Sequence, residues 1–184
     1  MPRTYRVFSE SHYAYFITCT VVKWMPLFTQ APYRQILLDS LDYLREHKRT
    51  QLNAFVIMPT HCHAVLWPEE GVSESDVMRD FKRFTSRSIS KEALRQGDQL
   101  LLGVFAAARA DNRAQDISQY QVWQDDSHAE AIFTLKFAEQ KIGYIHANPV
   151  RAGLVNAPEE WPYSSARAYL CGEETYPLTD VLMP

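Results

Sequence analysis

The sequence predicts an α+β domain, and three observations carry that prediction. Runs rich in β-branched and aromatic residues occur at 13–22 and 51–67, and both read as buried strands. Between them, Ile36, Leu37, Leu41 and Leu44 recur at helical spacing from about 32 to 47, with charged residues filling the intervals. The corner Met58-Pro59-Thr60 divides the second run into a hairpin, because proline cannot donate to a strand ladder.

The later elements follow by the same rules. Ser73 and Ser75 offer capping hydroxyls and Glu74 and Asp76 suit a helix N-terminus, so a second helix starts near 74, with Val77, Phe81 and Phe84 as its core-facing stripe. Residues 96–119 read as an insertion, with a short Ala- and Leu-rich helix over 99–110 and a polar loop after it. Tyr120–Gln124 is extended in character, and Ser127–Phe133 supplies a fourth strand. From Thr134, Leu135, Ala138, Ile142 and Ile145 mark another helix, expected to end near Asn148 because Pro149 disfavours the α conformation in the residue before it. The order is strand, helix, strand, strand, helix, strand, then helix, in one domain over 1–184 with its core at about 13–155 and a tail from about 156.

At 184 residues and 46% hydrophobic the chain can bury a full core. It shows no apolar run of membrane-spanning length and no signal segment, which predicts a cytoplasmic protein. Cys19, Cys62 and Cys171 are too few and too far apart for a disulfide framework or a cysteine zinc motif, and they read as reduced core residues. The net charge of −3 conceals a local feature: six basic and two acidic residues lie between 79 and 95, so that segment alone carries +4. Arg79, Arg83, Arg87, Lys91 and Arg95 fall at every fourth position, with Lys82 beside them, forming a slowly winding ridge along the second helix. Its plain reading is a solvated face; its functional reading is a polyanion contact.

His61 and His63 sit two apart in an apolar strand, so both imidazoles leave one face of the sheet. They are half a metal site, or two polar residues at a sheet rim. Tyr144 and Asn148 are four apart and share a helix face. A divalent metal held by two histidines and an amide oxygen polarises a phosphodiester, and a tyrosine beside it, though its phenol titrates near 10, is a competent nucleophile toward an activated electrophile. Tyr144 is otherwise a core-edge aromatic.

Met58-Pro-Thr-His-Cys-His63, followed by Tyr144-Ile-His-Ala-Asn-Pro-Val-Arg-Ala-Gly-Leu-Val155 and Trp161-Pro-Tyr-Ser-Ser165, resembles the REP-associated tyrosine transposases, relatives of the small single-tyrosine insertion-sequence transposases in the HUH endonuclease superfamily. The resemblance runs from the first strand to about Tyr169. It implies a ferredoxin-like βαββαβ core with a four-stranded antiparallel sheet and helices on one face. It further implies His61, His63 and Asn148 as ligands of Mg²⁺ or Mn²⁺ and Tyr144 as the nucleophile. The implied reaction cuts and rejoins single-stranded DNA beside hairpins of repetitive extragenic palindromes, through a 5′-phosphotyrosine intermediate and a free 3′-hydroxyl. Cys62 departs from the bulkier apolar residue usual between the histidines, a tolerable change because free cysteine behaves as a small hydrophobe.

In that setting Arg79, Lys82, Arg83 and Arg87 are expected to pair with phosphates, and Tyr120 or Trp123 to stack bases. The expected partner is hairpin-bearing single-stranded DNA, with no membrane, and the protein is expected as a monomer or homodimer. Two other functions fit the same residues: a domesticated binder of chromosomal hairpins without transposition, and a hydrolytic zinc enzyme in which bound water replaces Tyr144.

Overall fold

The computed structural model describes residues 13–111, 119–125, 129–173 and 180. The remainder of the polar loop, the start of the fourth-strand segment at Ser127 and most of the far tail lie outside the described residues.

Four strands form one antiparallel sheet: β1 (Ala14–Thr20), β2 (Thr50–Ile57), β3 (His61–Pro68) and β4 (Ala129–Ile132), in the order β2-β3-β1-β4. That is the order of a ferredoxin-like fold. β3 is central, paired with β1 from Tyr15↔Leu66 to Thr20↔His61 and with β2 from Thr50↔Pro68 to Ile57↔Cys62. A bulge between Leu52 and Ala54 gives β2 an extra residue, Asn53, and shifts its alternation by one, so that Leu52 and then Phe55 and Ile57 face the same way.

One face of the sheet, through Ile17, Cys19, Leu52, Phe55, Ile57, Cys62, Ala64 and Leu66, is closed by α1 (Ala31–His47) and α2 (Glu74–Gln96). Tyr33, Leu37, Leu41 and Leu44 of α1 and Val77, Phe81, Ile89 and Ala93 of α2 supply the cover. Ser73 caps α2 through Asp76 N–H, and Gly97 ends it in the left-handed region. The segment after α2 contributes α3 (Gln99–Asp111), whose Leu101, Leu102, Phe105 and Ala108 extend this core; Val122 and Trp123 join it.

Three expectations need correction. Phe84 is 58% exposed, because the buried arc of α2 is centred on Phe81 and Thr85 and Phe84 lies about 80° from its middle. The last helix, α4 (Leu135–Arg151), passes through Pro149 instead of stopping before it. Proline removes only one amide donor in this final turn, and Ala152 N–H to Asn148 and Leu154 N–H to Pro149, with Gly153 at φ +69°, complete the C-terminus. Finally, helices on one face describes α1 and α2, but α4 packs on the other. Strand alternation leaves a second apolar set there, Phe16, Ala54, Val56, Val65, Trp67 and Ile132, and α4 covers it with Ala138, Ile142 and Ile145, while Leu135 stays largely exposed.

The tail is tied to the outer edge of β2. Ile57 N–H donates to Tyr163 O, Ser165 N–H donates to Phe55 O, and the short helix α5 (Ala166–Leu170) follows. These bonds occupy edge groups that would otherwise be open to pairing with another strand. Cys19 and Cys62 are buried, whereas Cys171 is exposed, against the expectation of a core residue. Among the described residues no helix is long and apolar enough to cross a membrane.

Candidate active site

The site grows from the parity of β3. Cys62, Ala64 and Leu66 enter the core under α1 and α2, so His61, His63, Val65 and Trp67 must face α4. The two imidazoles lie ring to ring at 4.9 Å. His63 is stacked on Phe16 at 5.2 Å, and the ring of Tyr144 meets it edge-on at 5.5 Å and Phe16 at 5.9 Å. A single chain therefore brings the histidine pair and Tyr144 together, across some eighty residues of sequence.

Burial pushes the His63 imidazole down to about 3, helped by neighbouring His61 and by Lys141, with a backbone acceptor at Ile17 opposing. Burial lowers His61 as well. Both rings are thus neutral at physiological pH, the state a metal ligand requires. His63 Nδ1 lies 2.8 Å from Thr18 Oγ1, and His61 Nδ1 lies 2.9 Å from Thr60 Oγ1. In the tautomer that donates to these hydroxyls, each Nε2 keeps its lone pair, the outer support that orients ligating histidines. The donor chemistry fits a divalent cation with room for a third, oxygen ligand.

Asn148 stands one turn beyond Tyr144 on the same helix, and its amide Nδ2–H donates to Tyr144 O at 3.0 Å. Its Oδ1 accepts no hydrogen bond from the described residues. Among those residues no group of three or more His, Cys, Asp and Glu side chains is gathered closely enough to hold a metal ion.

Several neighbours escaped sequence reasoning. Lys141, one turn before Tyr144, pairs with Glu130 and lies over the Phe16 ring at 4.5 Å. Arg151 lies over the Tyr144 ring at 5.3 Å, and Trp24 meets His61 edge-on at 6.0 Å. Helical spacing from Tyr144 would have found Lys141 and Arg151. Thr18 required the β1–β3 register, and Trp24 carried no signal.

The basic ridge lies elsewhere. α2 is on the far side of the sheet, with Arg83 and Arg87 exposed and pointing away from it. Arg79 is paired with Asp76 and Asp80, and Lys82 donates to Gln124 O. Trp123 is not a stacking surface: it is 4% exposed and its indole N–H donates to Thr85 Oγ1. Tyr120 is half-buried against the same core.

A ferredoxin-like sheet bearing a histidine pair, with a tyrosine laid against it by a helix on the same face, defines a particular class of domain. A family described as "Transposase IS200 like" matches residues 9–126, a span that includes the histidine pair and stops short of α4. The chain belongs to this family of transposases. Its fold is that of a REP-associated tyrosine transposase solved bound to a REP hairpin, with a TM-score of 0.61 and 20% identity over 100% of this chain and 95% of that one. A looser likeness, TM-score 0.45 and 14% identity over 79% of this chain and 94% of the other, is to a candidate transposase from Deinococcus radiodurans R1. No curated protein sequence matches the chain.

Proposed function

We propose that this transposase cuts and rejoins single-stranded DNA beside hairpin-forming repetitive palindromes, with Tyr144 as nucleophile and His61, His63 and Asn148 holding Mg²⁺ or Mn²⁺. The observation that carries the reading is the Tyr144 ring 5.5 Å from His63, within one chain and on the face that β3 gives to its histidines. The hairpin substrate is supported by the REP hairpin bound to the structural neighbour.

Held by His61, His63 and Asn148, a divalent cation would supply neutralisation of charge on the scissile phosphate. The chain's own residues do the rest. Phe16 backs both His63 and Tyr144, which limits the directions in which either ring can turn. Tyr144 Oη attacks phosphorus, the bond from phosphorus to the upstream O3′ breaks, the phenol gives up its proton and the leaving O3′ gains one. Arg151, over the Tyr144 ring, holds that ring by a cation–π contact. The 5′-phosphotyrosine is then open to attack by a 3′-hydroxyl, which rejoins a strand and frees Tyr144.

Denaturing electrophoresis of the protein with labelled hairpin DNA, with Mg²⁺ or Mn²⁺ and with EDTA, tests the proposal. The wild type should form a covalent adduct that EDTA prevents, and Tyr144→Phe should bind DNA without forming one. An adduct that survives in Tyr144→Phe would remove Tyr144 from the role. Strand hydrolysis without any adduct, persisting in Tyr144→Phe, would point to a hydrolytic metal enzyme instead.

A further inference from the structure

The segment between β1 and α1 holds an aromatic side chain that lies outside the core. Trp24 is 59% exposed, yet its ring is set against His61. Lys23 and Trp24 both adopt φ +54°, a left-handed conformation that residues with a Cβ enter only at a cost, and two in succession are rarer still. Strain of this kind persists where surrounding bonds over-determine it, and it gathers at ligand clamps. Here Val21 N–H donates to Thr60 O, Trp24 N–H to Val21 O, and Phe28 N–H to Pro59 O. Both ends of the segment are thereby pinned to the Pro59-Thr60 corner that leads into His61. The indole is indexed to the histidine pair.

The rings touch in sequence: Trp24 on His61, His61 on His63, His63 on Tyr144. The nucleophile stands at one end of this row and the exposed indole at the other. In a displacement at phosphorus the attacking and leaving oxygens lie roughly in line on opposite sides. With the phosphate at the histidines and Tyr144 Oη attacking from its end, the leaving O3′ and its nucleotide fall on the Trp24 side.

We infer that Trp24 is the stacking platform for the base immediately 5′ of the scissile phosphate, the nucleotide that departs with the free 3′-hydroxyl. The inference rests on the function proposed above and adds to it a base-binding subsite. An exposed indole face suits any base, so the contact holds the leaving nucleotide in place without reading its identity. It would also keep the released 3′-end near the phosphotyrosine, where the rejoining step needs a 3′-hydroxyl.

The test compares wild type, Trp24→Ala and Trp24→Phe on a labelled hairpin oligonucleotide, each with an intact or an abasic nucleotide 5′ of the cut. Trp24→Ala should weaken binding about tenfold and Trp24→Phe much less, with the salt dependence unchanged because no phosphate contact is lost. The abasic substitution should cost the wild type a similar factor and cost Trp24→Ala almost nothing more, since both remove one stack. Unfolding midpoints of the variants should match the wild type. The inference is overturned if Trp24→Ala binds as the wild type does, if the two losses multiply, or if the variant changes only oligomeric state, which would make the indole a protein contact. Failure of the proposed chemistry reads differently: no adduct would form on any oligonucleotide, and the abasic effect could then be scored only in binding, where loss of the Trp24 coupling still sinks the inference.

Discussion

On one face of the sheet, Cys62, Ala64 and Leu66 of β3 disappear beneath α1 and α2; on the other, His61 and His63 of the same strand meet Trp24, Phe16 and Tyr144. The first face is closed by three helices and buries large side chains such as Tyr33, Phe55 and Phe105 completely. The second is covered by α4, with Tyr169 of α5 packed at its margin, and its apolar set stops where the histidines begin. Under the proposed function, neighbouring residues on one strand serve stability and chemistry in turn, and the two should be separable by mutation.

The sharpest separation pairs Tyr144→Phe with Leu37→Ala. Tyr144 is substantially exposed and gives up no core contact on losing its hydroxyl, so adduct formation should vanish while the denaturant midpoint stays within error of wild type. Leu37 is fully buried in the opposite cluster, and its truncation should cost about 2–5 kcal/mol of stability. The folded fraction of Leu37→Ala should still form the adduct at the wild-type rate. A lower rate per folded molecule would mean that the two faces are mechanically coupled.

Thr18→Val probes the support of the histidine face, because Thr18 projects from β1 on that side and bonds a candidate ligand through His63 Nδ1. Outer-shell partners of ligating histidines are worth about 10–100-fold in metal affinity. Mn²⁺ titration followed by magnetic resonance should show a loss of that size, with Thr18→Ser restoring most of it. Unchanged affinity in Thr18→Val would mean that the hydroxyl does not orient the ring.

A smaller effect distinguishes the faces by pH. His146 of α4 is buried beside Ser165 Oγ at 2.9 Å and against the Tyr169 ring, and burial lowers its imidazole to about 4 from an ordinary value of 6.5. Below pH 6.5 the unfolded chain binds a proton there that the folded chain refuses. Stability is therefore fully present above about 6.5 and is lost progressively as pH falls toward 4. Urea midpoints of wild type and His146→Gln should converge between pH 7 and pH 4. His63, lowered to about 3, adds a slope of the same sign that persists in the variant. Parallel curves would show that His146 does not titrate with folding.

The strands, the hairpin corner and the histidine pair were legible because a period of two leaves a direct mark on composition. Pairing Tyr144 with Asn148 was legible from helical spacing. What the sequence could not convey was which face each helix covers. The acceptor Thr18 needed the register Thr18↔His63, and the burial of Trp123 needed α2 and α3 in place around it. Phe84 shows the same limit: three apolar residues at helical spacing define a stripe, but the neighbouring elements decide where its edge falls. Pro149 was misleading for an energetic reason, since a proline in a final turn sacrifices only one hydrogen bond.

The weakest expected effect concerns the basic ridge, and it tests the division between faces most directly. Arg83 and Arg87 point outward from α2, behind the sheet that carries the histidines; Arg83 lies near enough to Asp80 to act on its carboxyl, and Arg87 is exposed. If they hold DNA, they hold a portion of it away from the scissile phosphate. The double variant Arg83→Ala/Arg87→Ala should then flatten the plot of log affinity against log salt by roughly 1.4 if the two contacts are to single strand and roughly 1.8 if to duplex, so the size of the change says which part of a hairpin substrate lies there. Adduct formation at saturating DNA should be unaffected, because no charge near Tyr144 has been removed. An unchanged salt slope would reduce the ridge to a solvated helix face. A normal slope combined with a slower adduct rate would be harder on the two-face picture, since it would require the back of the sheet to influence the chemistry in front of it.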